Sequence, residues 1–171
     1  VYKRQTWRNQ HGRDDSSSGN NGKQIMIVYN SRSIDQTQYL ARKLSETINV
    51  GSVVMLIGNL GTGKTTFVQG LAMAIGIKER VGSPTFKLVS EYKGNDYFLY
   101  HIDAYRLEGV NDFLNIGGEE YLRPRKGITL IEWADIIEEI FDDGTIRIKF
   151  SRIEDNPSSR KIEIEGMDID V

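Results

Sequence analysis

Val53-Val54-Met55-Leu56-Ile57-Gly58-Asn59-Leu60-Gly61-Thr62-Gly63-Lys64-Thr65-Thr66 is the stretch that decides the fold of this 171-residue chain. Gly58 to Thr65 satisfies G-x-x-x-x-G-K-[ST] at every position, a pattern that gains meaning only with a strand before it and a helix after it. Both are legible. Val53–Ile57 is an unbroken aliphatic run, as expected of a strand covered on both faces in a parallel sheet. Downstream, Phe67, Leu71 and Ile75 recur every fourth residue and Gly76 follows, which predicts a helix with one buried stripe and a glycine stop. In such a loop Gly61 and Gly63 adopt conformations closed to other residues, so successive amides turn inward at a helix N-terminus and suit a phosphate chain. The expected nucleotide contacts are Gly61, Thr62, Gly63, Lys64, Thr65 and Thr66. Lys64 bridges β- and γ-oxygens, the Thr65 hydroxyl ligates magnesium, and Thr66 lies near the α-phosphate.

Working outward, Ile25 to Val28 reads as a strand, and Ser33 and Gln36 stand at capping-box spacing ahead of a helix with apolar residues at Leu40, Leu44 and Ile48. Thr85–Tyr92 and Tyr97–Ile102 are β-rich runs joined by Lys93-Gly94-Asn95-Asp96, a hairpin that makes the sheet mixed. Residues 110–122 look loosely helical, Ile128–Ile131 is a buried strand, and Ala134–Phe141 is a short helix. Ile146, Ile148 and Phe150 alternate with Arg147 and Lys149; after a turn at Asn156 and Pro157, Ile162 and Ile164 alternate with charged residues. That predicts an edge hairpin with one wet face. The fold class is α/β: a P-loop NTPase-like three-layer fold with a mixed, mainly parallel central sheet and antiparallel hairpins.

Residues 24–171 are expected to form one domain. Residues 1–23 are polar and rich in Ser, Gly and Asn, with too little apolar surface to offset ordering entropy, so they read as a disordered tail or as residues added to the natural chain. Because the sequence starts at Val1 rather than Met, it reads as a fragment or as carrying added residues, and the tail is left out of the expected fold. This tail holds five Lys or Arg against two Asp, +3, and since the whole chain carries −2 the remainder carries −5. An acidic domain argues against broad sequence-independent binding to nucleic acid. The longest aliphatic run falls far short of the roughly 20 residues that span a bilayer, and no apolar leader is visible, so a cytoplasmic protein off the membrane is expected. With no cysteine, and histidine only at His11 and His101, a disulfide framework or zinc site is not expected.

Magnesium–nucleotide chemistry also needs a carboxylate at the end of a neighbouring buried strand. Glu132, after Ile128–Ile131, and Asp103, after Tyr97–Ile102, both qualify, although strand-end carboxylates commonly face solvent. Trp133 is ordinarily a core residue, and directly after Glu132 it is also placed to cover the nucleotide. Ser83-Pro84-Thr85 is by itself a turn into a hairpin. Beside a P-loop, Thr85 stands where NTPase switches sense the γ-phosphate and magnesium.

Taken in order, these residues resemble the TsaE (YjeE) family of small bacterial P-loop ATPases across residues 24–171. The resemblance rests on G-x-L-G-x-G-K-T-T at Gly58 to Thr66, S-P-T-[FY] at Ser83 to Phe86, H-x-D-x-Y-R at His101, Asp103, Tyr105 and Arg106, and the pair Glu132-Trp133. It implies slow ATP hydrolysis with Mg²⁺ and action beside the TsaB and TsaD proteins in making threonylcarbamoyladenosine in tRNA, with tRNA engaged only indirectly. By the same resemblance, Lys64 and Thr65 hold phosphate and metal, Glu132 is the Walker B-like magnesium residue, Asp103 belongs to an acidic pair needed for activity, and Thr85 sits in the switch. The catalytic set is then Lys64, Asp103 and Glu132. The tail matches no motif of the family.

Two other readings stay open on the residues alone. One is a small P-loop kinase acting on a metabolite, with Asp103 as general base and Arg123, Arg125 and Lys126 closing over the phosphates. The other is a nucleotide-gated binding module whose ATP form docks on partners. A GTPase is disfavoured because no N-K-x-D sequence follows to read guanine.

Overall fold

The structure, a computed structural model, describes residues 26–169, so the expected tail and Ile25 lie outside the described residues. β1 (Met26–Ser31) leads to α1 (Ile34–Thr47), β2 (Val53–Ile57) and α2 (Lys64–Ala74). β3 (Val89–Lys93), β4 (Phe98–Asp103), α3 (Val110–Asn115) and β5 (Gly127–Glu132) follow, then β6 (Ile146–Ile153) and β7 (Asn156–Glu165). Ser33 caps α1 as its spacing predicts, its side chain accepting from the Gln36 amide at 3.2 Å. The reciprocal bond reaches one residue further back than in a capping box: Gln36 Oε1 accepts from the Arg32 amide at 2.7 Å.

The seven strands form one sheet in the order β1-β7-β6-β2-β5-β4-β3. Its centre, β6-β2-β5-β4, is parallel, and the antiparallel pairings lie outside it: β3 on β4 at one edge, β7 and β1 beyond β6 at the other. Both faces are covered, as the aliphatic β2 run requires. Val54 and Leu56 join α1 and α2 residues such as Leu40, Leu44, Phe67 and Leu71 in one core. Met55 turns to the other face, where Ile102, Ile131, Phe113 and Ile137 pack. Each such fully buried aliphatic or aromatic side chain contributes about 1.5–3 kcal/mol relative to exposure.

Four expectations are corrected. The C-terminal hairpin is not at the edge, because β6 pairs in parallel with β2 and β7 is covered by β1; alternation showed one wet face but carried no information about the neighbouring strand. Its turn falls at Glu154 and Asp155, and Asn156 already pairs with Ile153. The strand expected from Thr85 begins only at Val89. Residues Thr85–Leu88 instead form a turn in which Pro84 O accepts from the amides of Lys87 and Leu88 at 3.0 and 2.7 Å, and Leu88 takes a φ of 64°. Finally, the second helical layer is largely 3-10: Ala104–Arg106, Gly118–Leu122 and Ala134–Ile140 coil in short turns, leaving α3 as the α-helical part of residues 110–122.

Candidate functional site

Three parallel strands deliver the site at their carboxyl ends, the edge where open α/β sheets bind ligands. β2 runs into the glycine loop, β4 ends on Asp103 and β5 on Glu132. Register does the alignment: Leu56 and Asp103 are both pair partners of Glu132, one on each side.

Gly61 (φ 73°) and Gly63 (φ 101°) occupy the left-handed region, which only glycine enters at little cost. Gly58 is forced by packing as well, since a Cβ there would stand 2.4 Å from the Phe150 carbonyl oxygen. Thr62 tightens the loop by donating its hydroxyl to Asn59 O at 2.7 Å. Lys64, only 4% exposed, donates its ammonium to Gly58 O at 2.5 Å and Asn59 O at 3.1 Å, with its Nζ 4.2 Å from the centre of the Trp133 ring. Burial pulls the Lys64 ammonium below its ordinary pKa of 10.5, against the opposing pull of Glu132, Asp103 and Asp135.

The carboxylates are buried and partnered, not solvent-facing. Thr65 Oγ1 donates to Glu132, at 2.8 Å from Oε1 and 3.1 Å from Oε2, and His101 Nε2 lies 2.9 Å from the same Oε1. Asp103 Oδ2 accepts from Ser83 Oγ at 2.5 Å and Thr85 Oγ1 at 2.9 Å, while Oδ1 accepts the Tyr105 amide at 3.0 Å. Those bonds explain why Thr85 turns instead of continuing a strand. Trp133 leaves β5 at a φ of 57°, uncommon for a bulky residue, and its ring lies against Tyr105 with centroids 5.0 Å apart.

These groups line a cleft of about 470 Å³. Gly61, Gly63, Lys64, Thr65, Thr66, Thr85, Asp103, Glu132 and Trp133 all reach it; Thr62 does not, because its side chain is turned back on the loop. The sequence reading gave no site role to Ser33, the cap of α1, to Thr37 of α1, or to Ser158 and Arg160 of β7, which also line the cleft. Arg160 donates to Gly61 O at 3.2 Å, and Arg152 of β6 to Leu60 O at 3.1 Å. No local motif marks these positions; the pairing of β6 with β2, and of β7 with β6 and β1, brings them together at the loop. Arg123, Arg125 and Lys126, the cations a kinase would need over the phosphates, sit before β5, whose length sets them about 17 Å or more from Glu132 and in a separate depression.

The donor set fits magnesium. A hydroxyl and a carboxylate already within 2.8 Å of each other supply hard oxygen ligands. Among the described residues no three His, Cys, Asp or Glu side chains gather into a group that could by itself hold a metal ion.

A glycine loop between a buried strand and a helix, with lysine and threonine at its end and a carboxylate bonded to that threonine, defines a P-loop protein of the nucleoside-triphosphate-binding class. The chain belongs to the TsaE family: the family model described as "Threonylcarbamoyl adenosine biosynthesis protein TsaE" matches residues 31–162. It is 38% identical over 125 residues to the tRNA threonylcarbamoyladenosine biosynthesis protein TsaE of Treponema pallidum, covering 73% of this chain and 91% of that one. The Bacillus subtilis protein of the same name is 37% identical over 122 residues, covering 71% and 75%. The crystal structure of Bacillus subtilis YdiB superposes with a TM-score of 0.70 at 30% identity, covering 83% of this chain and 86% of that one.

Proposed function

We propose that this protein binds ATP with Mg²⁺ in the cleft, hydrolyses it slowly, and serves with TsaB and TsaD proteins in forming threonylcarbamoyladenosine in tRNA, in the cytoplasm and without itself holding the tRNA. The observation that carries the reading is the Thr65–Glu132 hydrogen bond at the mouth of the glycine loop, with Asp103 in register beside it. In this reading the Gly61–Gly63 loop and Lys64 grip the phosphates, and Thr66 lies at the helix start near the α-phosphate. Thr65 and Glu132 hold the magnesium, which when bound offsets phosphate charge. Asp103 holds Ser83 and Thr85 as the switch, Trp133 covers the nucleotide, and the lining from α1 and β7 is left for the nucleoside.

A specific observation favours a docking role alongside catalysis. Phe86 and Leu60, from the switch turn and the glycine loop, are 86% and 80% exposed, and Tyr105 is 57% exposed. Apolar groups presented by the segments that would sense the γ-phosphate suit a partner face that responds to ATP against ADP. The test is reconstitution of tRNA modification with Lys64→Ala, Asp103→Ala and Glu132→Ala proteins, together with phosphate release in the absence of any acceptor. Weak release alone, a larger rate with partners and loss of modification in all three variants are expected; full modification by all three overturns the reading.

A further inference from the structure

We propose that His101 is a positioning residue for magnesium: its Nε2–H holds Glu132 by Oε1 and so leaves Oε2, which takes only the longer Thr65 contact, turned to an ion at Thr65. This rests on the reading that Thr65 and Glu132 hold the metal. His101 is fully buried in β4 beside Leu130 of β5, between the core residues Leu99 and Ile102. Its Nε2 lies 2.9 Å from Glu132 Oε1, and Nδ1 is buried with no hydrogen-bond partner among the described residues. Packing alone disfavours such a ring, because an apolar side chain there would leave no orphaned nitrogen. What the imidazole gains is one bond, and that bond goes to the carboxylate.

The tautomer follows from the same geometry. A proton on Nδ1 would orphan a buried donor and set the Nε2 lone pair against a carboxylate oxygen at 2.9 Å. A proton on Nε2 leaves only a lone pair unmatched and makes the contact a charge-assisted hydrogen bond. The Thr65 hydroxyl also lies nearest to Oε1, at 2.8 Å against 3.1 Å for Oε2. Both donors therefore favour Oε1, and Oε2 carries only the longer arm of the Thr65 contact. Without His101, Thr65 is the carboxylate's one remaining side-chain hydrogen-bond partner among the described residues, and it is the residue with which Glu132 would share the ion.

The experiment measures ATP affinity by calorimetry, in EDTA and in Mg²⁺, for the full chain and for His101→Gln, His101→Asn and His101→Leu. The Gln amide nitrogen can stand where Nε2 stands, whereas the Asn amide is too short to reach Glu132. Loss of a hydrogen-bond partner behind a metal ligand typically costs 10–100-fold in metal affinity. The magnesium-dependent gain in affinity is expected to fall about tenfold in the Asn and Leu variants and to be largely kept in Gln, with the EDTA affinity unchanged in all three. An undiminished gain in Asn or Leu overturns the proposal, as does an equal loss in Gln and Asn. If Leu does not fold, the Gln–Asn comparison decides alone. A wild-type chain that binds ATP no better in magnesium than in EDTA overturns the metal reading itself.

Discussion

Asp103 and Glu132 are register partners on adjacent parallel strands, yet they are held by hydroxyls from different segments: Glu132 by Thr65 of the glycine loop, Asp103 by Ser83 and Thr85 of the turn before β3. Two neighbouring strand ends thus tie the glycine loop and the turn at residues 83–88 to one rigid edge. Asp103→Asn replaces an anionic acceptor with a neutral amide and weakens both hydroxyl bonds, since charged acceptors bind roughly twice as strongly. Faster amide hydrogen exchange is expected across residues 83–88, with little change in β2 or α2. ATP turnover is expected to fall by about tenfold or more. Unchanged exchange in the turn would show that Asp103 does not hold it.

The affinity for ATP should have an alkaline limb set by Lys64. Burial lowers its pKa from 10.5 in the free protein, while bound phosphate favours the charged form, so the complex holds more protons than the free state in the interval between the two values. Affinity therefore falls as pH rises through the depressed pKa, beginning below 10.5. The sign for folding is the reverse: the buried charge costs stability at lower pH, and that cost is relieved as pH rises toward 10.5. Calorimetric titrations between pH 7 and pH 11 check the limb. Lys64→Ala should bind and turn over ATP about 100-fold more weakly and show no such limb.

Trp133 offers an optical readout. Its ring carries the Lys64 ammonium 4.2 Å from its centre, and a triphosphate in the glycine loop draws that ammonium away. In Trp7→Phe protein, which leaves Trp133 as the sole tryptophan, emission should change saturably with ATP. Adenosine, without phosphates, should leave it unchanged, and so should ATP added to the same protein carrying Lys64→Ala. An equal response to adenosine would place the signal on the base instead.

How much was legible follows from which features are local. The glycine loop, both strand-end carboxylates and the caps of α1 and α2 are each written within a few residues, and all are found where the sequence puts them. Thr85–Leu88 has the composition of a strand, but the Asp103 carboxylate captures the Thr85 hydroxyl and Pro84 closes the turn; propensity lost to a bond 18 residues away. His101 carries a local signal, a lone histidine in an otherwise apolar strand, but its partner Glu132 is 31 residues away and only the pairing of β4 with β5 brings the two together. Arg152 and Arg160 could not be found at all, because their approach to the loop depends on β6 lying against β2 rather than at the edge.

The last prediction concerns the helical layer that supports the loop. Gly70, in the middle of α2, faces α1 so closely that a Cβ there would stand 2.5 Å from Gln38 Cα and 2.8 Å from Gln38 O. Those are backbone atoms, so no rotamer change makes room, and Gly70→Ala must push the two helices apart. In an exposed helix interior the same substitution would be favourable by about 1 kcal/mol. Here overpacking opposes it, and a net loss of about 1–3 kcal/mol is expected in urea unfolding. Because α2 begins at Lys64, a shift of its axis also moves the ammonium and the Thr65 hydroxyl relative to the sheet, where Glu132 is fixed. The variant should therefore lose ATP affinity although Gly70 lies two turns from the phosphates. Gly70→Ala that gains stability would show that α1 yields, and that the loop does not depend on this close approach.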